Sequence, residues 1–198
     1  MMRAVSKVLD VLLWLGLTPV AFVAAYGAYD GLSVSHSAVI SGDIIKLAEA
    51  HSDGLFETID SEYVIAWLTV DETNISYPVV QGMDNNWFLN RNYKGEHATA
   101  GSIFLDYRNA ANFSDRFSIA YGHRMGGGEM FSDIQKFKDK DYFEAHRWGS
   151  LRLRAQEFIL EIVAYAEVDA NDWEIYNVEK TREAGASAAV EKTLGAAI

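Results

Sequence analysis

His123 is the side chain in this sequence best placed to move a proton. It follows a short apolar stretch, FSIAY at residues 117–121, and Gly122, and the glycine-rich Gly126, Gly127 and Gly128 come next. Imidazole is the side chain that most readily exchanges a proton near neutral pH. A histidine at a strand end beside a flexible loop is placed to meet a substrate. The plainer alternative is a loop histidine making one hydrogen bond, since a lone His is weak evidence of catalysis. Asp84 and Asp106 could pair as general acid and base, but both fall at strand-to-turn boundaries, where Asp is common for turn reasons. His36, His51, His97 and His146 are scattered without ligand spacing, so no metal site is expected. The chain has no cysteine, which excludes disulfides, thiolate zinc sites and iron–sulfur clusters.

These residues need a scaffold, and the hydrophobic pattern supplies one. Residues 63–70 (YVIAWLTV) are rich in β-branched and aromatic side chains and end in the turn sequence DETN. Residues 75–81 (ISYPVVQ) read as a second strand, which Pro78 would demote to an edge or a bulge. Residues 101–107 and 117–121 give two further short strands, and 158–168 a long one with apolar residues on both faces. Short helices fit 85–90 and 130–138, and the Ala-, Glu- and Lys-rich tail from 178 to 198 reads as one helix. Short strands with helices inserted in the connections predict a mainly β protein, a closed barrel rather than a doubly wound sheet. Met125 and Met130 are expected to pack beside the site, and Glu161 and Glu167 to face solvent.

Ahead of the domain lies an uncharged run at residues 11–29, VLLWLGLTPVAFVAAYGAY, preceded by Arg3 and Lys7. It is long enough to cross a bilayer as a helix, and the basic residues before it place the N-terminus in the cytoplasm. A cleaved signal peptide is the alternative, and either way the remainder is exported. Residues 33–62 then turn polar with Ile40, Ile44, Ile45, Leu47 and Ala48 at helical spacing, which predicts a stalk helix packed on the domain. The domain reading is therefore 1–30 cytoplasmic N-terminus and anchor, 31–62 stalk, and 63–198 the globular domain. With 49% hydrophobic residues, the 198-residue chain can bury one sizeable core. Its net charge of −11 repels phosphate backbones, so nucleic acid is not an expected partner.

Three segments together carry more than any one of them: Tyr77-Pro78-Val79-Val80-Gln81-Gly82-Met83-Asp84-Asn85, then Gly101-Ser102-Ile103-Phe104-Leu105-Asp106, then Tyr121-Gly122-His123-Arg124-Met125 with Met130-Phe131 close behind. In order and spacing they resemble the sortases, class B in particular, over about residues 60–170. The resemblance implies a sortase-like β-barrel on a single-pass membrane anchor, facing outward from a Gram-positive cell. It also implies a cysteine transpeptidase. The cysteine thiolate attacks the carbonyl of a threonine in a C-terminal sorting signal, and the resulting thioester passes to a cell-wall or pilin amine. A histidine serves as general acid and base, and an arginine steadies the oxyanion.

On that resemblance His123 takes the catalytic position, and Asn85, Leu89 and Tyr121 match residues lining the substrate groove. An amide and a ring hydroxyl could hold an extended peptide backbone, and Leu89 could fill an apolar pocket. Asn85 as a helix cap and Leu89 as plain core are the alternatives. The implied partners are a sorting-signal peptide of Asn-Pro-x-Thr type and a peptidoglycan precursor or pilin amine, with no metal or other cofactor. The family's cysteine and arginine lie well beyond the histidine, and none of Arg147, Arg152, Arg154 or Arg182 takes the oxyanion role. The expectation is a chain cut short before its last strands and inactive as written. The alternative is a non-catalytic, sortase-like surface module that binds sorting peptides or pilins without joining them.

Overall fold

The computed structural model describes residues 42–50, 54–126, 128–179 and 187–195, together with Ala25 and Ala28. The chain divides into two compact units, Met1–His36 and Ser37–Ile198. Apart from those two alanines, the apolar run at 11–29 lies outside the described residues. So do the first part of the stalk and residues 180–186 and 196–198 of the tail. Among the described residues, no helix is long and apolar enough to cross a membrane.

The second unit opens with two helices, α1 (Gly42–Glu49) and α2 (Leu55–Thr58). Six strands follow: β1 (Val64–Val70), β2 (Ser76–Val80), β3 (Ile103–Leu105), β4 (Ala120–Tyr121), β5 (Trp148–Arg152) and β6 (Glu157–Glu161). A 3-10 helix (Ser132–Lys138) and α3 (Lys140–Ala145) sit between β4 and β5. Among the described residues, α4 (Trp173–Tyr176) and α5 (Ser187–Gly195) come after the last strand. The strands form one sheet in the order β4-β3-β2-β1-β5-β6, curled into half a barrel. Every pairing is antiparallel except β2 with β3.

Burial explains the order. In β2 and β3 consecutive residues are buried, from Tyr77 to Val80 and from Ile103 to Leu105, so both faces of these strands are covered. α1 packs on β2, and Ala48, Leu55, Phe56 and Ile59 join the same core as Val79, Val80 and Ile103. The segment read as a stalk thus supplies one wall of the core. Trp67 on β1 is 1% exposed, and its indole Nε1–H donates to Ser76 Oγ at 3.0 Å, so its one polar atom is paired. At the far edge β6 is exposed throughout except Leu160.

Several expectations from sequence are corrected. Among the described residues the sheet is a half-barrel whose end strands β4 and β6 do not pair with each other. This is the incomplete form of the barrel that the resemblance implies, and not the closed one that the strand pattern alone suggests. β2 is not an edge strand, because β1 flanks it on one side and β3 on the other. Pro78 is accommodated because β3 pairs only with Val79 and Val80, so no ladder is required of Pro78 on that side. The long strand at 158–168 stops at Glu161, since its partner β5 begins at Trp148 opposite it. After one more bond, Ile162 N–H to Arg147 O, the partner chain turns into the end of α3. β5 itself carries no strand signal, because Trp148-Gly149-Ser150-Leu151-Arg152 lacks a β-branched pattern. Residues 85–90 form bends and turns instead of a helix. Their carbonyls are drawn elsewhere, Phe88 O to Ser102 N–H and Leu89 O to His123.

Trp67→Ala should therefore cost about 3–5 kcal/mol through the cavity it leaves. Urea unfolding of the full chain followed by circular dichroism measures this, and a loss below about 1 kcal/mol would show that Trp67 is not central to the core.

Candidate functional site: a groove built on a buried carboxylate

β3 delivers Asp106 to the interior one residue past its end, and the residue is fully buried. A bare carboxylate there would be costly, so its oxygens must be supplied with donors. Oδ1 accepts from Arg108 N–H at 3.0 Å and Arg108 Nε at 2.9 Å. Oδ2 accepts from Arg108 NH2 at 2.7 Å, Asn85 Nδ2 at 2.8 Å and the Tyr121 hydroxyl at 3.1 Å. Burial alone would raise the Asp106 pKa, but the Arg108 bonds and the Asn85 amide outweigh it and bring it down to about 2. Tyr121 responds in the opposite sense. Its burial and the neighbouring Asp106 charge push the phenol well above its ordinary value, so it stays protonated and donates.

This cluster fixes how Asn85 points. Its Nδ2 donates to Asp106, and its Oδ1 accepts from Tyr107 N–H at 3.0 Å, so the amide cannot flip without losing both bonds. The turn that carries it is set by Asp84, whose Oδ1 accepts from Asn86 N–H and Trp87 N–H, both at 2.8 Å. Asp84 thus has a turn role, and Asp106 is the hub of the cluster instead of a partner for Asp84. Phe88 plunges into the core at 0% exposure and pins the segment, while Leu89 beside it is 41% exposed. Leu89 is therefore a surface residue and not core, and Asn85 anchors its turn to the segment after β3 and is not a helix cap.

Asn85, Leu89 and Tyr121 come together on one cavity of about 360 Å³. Phe104, Ala170 and Tyr176 complete its lining. The Tyr121 ring packs on Phe104 at 5.3 Å and on Tyr176 at 6.4 Å between centroids. Ala170 and Tyr176 have no sequence signal. They reach the groove only because the chain returns past β6, and the buried Ile175 and Val178 dock it there.

His123 stands beside this groove, its Nε2 2.7 Å from Leu89 O. A carbonyl can only accept, so Nε2 carries the proton and Nδ1 is left as the acceptor. The histidine loop is held by several bonds. Phe131 N–H donates to His123 O at 3.0 Å, Arg124 bridges Met130, and Met130 N–H donates to the Tyr77 hydroxyl at 3.1 Å. Gly122 admits the Phe131 ring, since a Cβ there would lie 2.7 Å from Phe131 Cδ2. Gly101 plays the matching role under the acceptor. At φ +62°, a Cβ would fall 2.6 Å from Leu89 O. Met130 is buried beside the loop, and Met125 packs partly against the core.

The remaining histidines in the described residues are accounted for locally. His146 stacks on Tyr142 at 4.1 Å and bonds its carbonyl, and His97 bridges Arg91. His36 and His51 lie outside the described residues. Arg147, just before β5, pairs with Glu161 of β6, Arg152 at the end of β5 pairs with Glu157 of β6, and Arg182 lies outside the described residues.

Comparison with known proteins sets this geometry in context. The pattern of the sortase domain matches residues 68–192. Sortase B of Listeria monocytogenes is 45% identical over 104 residues, covering 52% of this chain and 42% of that protein. The chain thus spans less than half the length of that curated relative. The solved structure of sortase B from Listeria monocytogenes superimposes with a TM-score of 0.62 at 36% identity, covering 69% of this chain and 78% of that one. A Staphylococcus aureus sortase B–substrate complex shares the fold at a TM-score of 0.66 and 22% identity, covering 78% of this chain and 73% of that one.

The Asp106 carboxylate also makes a statement about stability. Its pKa is depressed in the folded state, so its contribution is complete above the unfolded pKa near 4 and is lost as pH falls towards about 2. From that shift the contribution is roughly 2 kcal/mol. The stability difference between the natural protein and Asp106→Asn should be constant above about pH 5 and shrink by roughly 2 kcal/mol as pH falls through about 2. Urea midpoints across that range measure it, and a difference that grows with acid would overturn the assignment.

Proposed function

Because the chain belongs to the sortase family, on its class B branch, we propose that its second unit binds a sorting-signal peptide in the groove of Asn85, Leu89 and Tyr121, with His123 as the acid–base group. The observation that carries this is the joining of two features through one residue. Leu89 presents its side chain to the groove and its carbonyl to the imidazole. A peptide seated in the groove would lie near His123, which is tied to the groove residue Leu89 through its carbonyl. The likeness to a fold seen with substrate in Staphylococcus aureus sortase B supports the same reading.

In the reaction of the class, a thiolate attacks the threonine carbonyl and the carbon–nitrogen bond breaks. The leaving amine takes its proton from imidazolium, and the acceptor amine then displaces the thiolate, giving its own proton to the ring. Residues 1–198 contain no cysteine, so they cannot form the thioester. Their share is recognition and proton transfer. The pocket suits that division. Asn85 and Tyr121 offer polar groups of fixed direction, while Leu89, Phe104 and Tyr176 offer apolar surface. The absence of cysteine equally favours a second reading, a sortase-like surface module that holds sorting peptides or pilins without joining them.

Titrating a fluorescent peptide containing Asn-Pro-Ala-Thr into the full chain tests the shared core of both readings. Saturable binding without cleavage is expected, weakened about tenfold or more by Asn85→Ala, as for an anchor left without its hydrogen bonds. His123→Ala should leave binding within about twofold, because a proton-transfer group acts mainly in the transition state. No saturable binding would sink the proposal. A covalent peptide adduct on any of these 198 residues would overturn the view that they lack a nucleophile.

The proposal extends to location. Residues 11–29 anchor the chain in the cell membrane, with the N-terminus cytoplasmic and the groove outside. Protease added to intact wall-stripped cells should digest the second unit and leave a short membrane-bound fragment. Protection of the second unit would reverse the orientation.

A further inference from the structure

The groove has two walls of different origin. Asn85, Leu89 and Tyr121 form one, attached directly to the sheet, and Ala170 and Tyr176 form the other, on a segment that returns after β6. We propose that Arg108 is a positioning residue that fixes the second wall against the first and so sets the width of the groove. The inference rests on the peptide-binding reading given above.

The geometry is that of a planar fork used on two sides. Arg108 Nε and NH2 engage the two oxygens of Asp106 at 2.9 and 2.7 Å, and the same NH2 donates to Tyr176 O at 3.0 Å. An NH2 group has two hydrogens, so both bonds can be made at once without sharing. The carboxylate fixes the plane of the guanidinium, and the plane fixes where the Tyr176 carbonyl must sit. Asp106 also holds Asn85 and Tyr121, so a single ion pair references both walls to the end of β3. Tyr121 and Tyr176 then stack across the groove with centroids 6.4 Å apart.

Two competing roles for Arg108 fit less well. Its terminal nitrogen is committed to Asp106 and Tyr176, and its side chain is only 22% exposed, so it is poorly placed to meet a developing oxyanion. A charge partner for Asp106 and nothing more would not need to reach a backbone carbonyl 68 positions away in the chain.

Lysine separates the roles. Arg108→Lys keeps a cation beside the buried carboxylate, but a lysine ammonium has no planar fork to span Asp106 and Tyr176 O together. The experiment measures thermal unfolding, the amide spectrum of residues 169–178, and affinity for the Asn-Pro-Ala-Thr peptide in the natural chain, Arg108→Lys and Arg108→Met. For Arg108→Lys the expected result is a melting temperature close to the natural one, shifted amide resonances at 176–178, and affinity reduced about tenfold by the loss of a preformed groove. Arg108→Met should lose both affinity and melting temperature. Natural affinity in Arg108→Lys would overturn the inference, as would a loss of affinity that only tracks a loss of folding. No binding by the natural chain would overturn the peptide-binding reading instead, a separate and distinguishable result.

Discussion

The arrangement around the site depends on keeping one carboxylate charged inside the protein. Asp106 is wholly buried, and five donors meet its two oxygens. None of the five is decorative, because an ion without partners would be driven out or neutralised. The consequence is geometric. Each donor that satisfies the charge is also fixed in direction, so Asn85, Tyr121 and Arg108 are oriented by the requirement that Asp106 stay paired. Order that an isolated loop would have to pay for in entropy comes from a single electrostatic constraint.

A second pattern follows, in which side chains replace missing strand partners. β4 is only two residues long, yet the chain before it is held in line. Asn109 Nδ2 donates to Phe117 O while its Oδ1 accepts from Ile119 N–H. Gln81 Nε2 ties the end of β2 to Asp106 O and Asn109 O at 2.9 and 2.8 Å. The same device places the site's acceptors. Leu89 O lies in a turn and Tyr176 O at the C-terminal end of α4, and each is taken by a side chain, His123 or Arg108, instead of by a neighbouring strand. The sheet supplies rigidity, and the polar side chains carry it outward to loops.

This explains which parts are legible in the sequence. β1 and β2 announce themselves because short runs dense in Val, Ile, Trp and Tyr, bounded by turn residues, have few other uses. The three segments that point to the family include His123, Asn85 and Tyr121, and Leu89 follows the first of them. The resemblance they carry thus singles these residues out where the chemistry of each by itself leaves plainer alternatives. Asp106 looks like a turn residue in the sequence, since its partners Asn85 and Tyr121 are 21 and 15 positions away. β5 is silent there because a tertiary contact admits it. Gly149 lets Thr69 O approach to 2.5 Å from where a Cβ would stand, which no local propensity encodes. The helix expected at 85–90 does not form for a related reason, because its carbonyls serve the site. Tyr176 leaves no trace in the pattern, since only the return of the chain past β6 brings it to the groove.

The tautomer of His123 joins these threads. With Nε2–H donating to Leu89 O, the ring offers a lone pair only at Nδ1. A base using that orientation must take its proton on the side away from Leu89. The Leu89 carbonyl then does for this ring part of what a carboxylate does in many acid–base pairs, fixing the tautomer and the ring's orientation without adding a formal charge. Gly101 is what allows that carbonyl to stand there, because any side chain would collide with Leu89 O and the backbone sits at positive φ. The glycine, the exposed leucine and the histidine therefore act as one unit. Leu89 lines the groove while its backbone carbonyl is committed to the imidazole, so any recognition in the groove and any proton transfer at His123 would be coupled through a single residue.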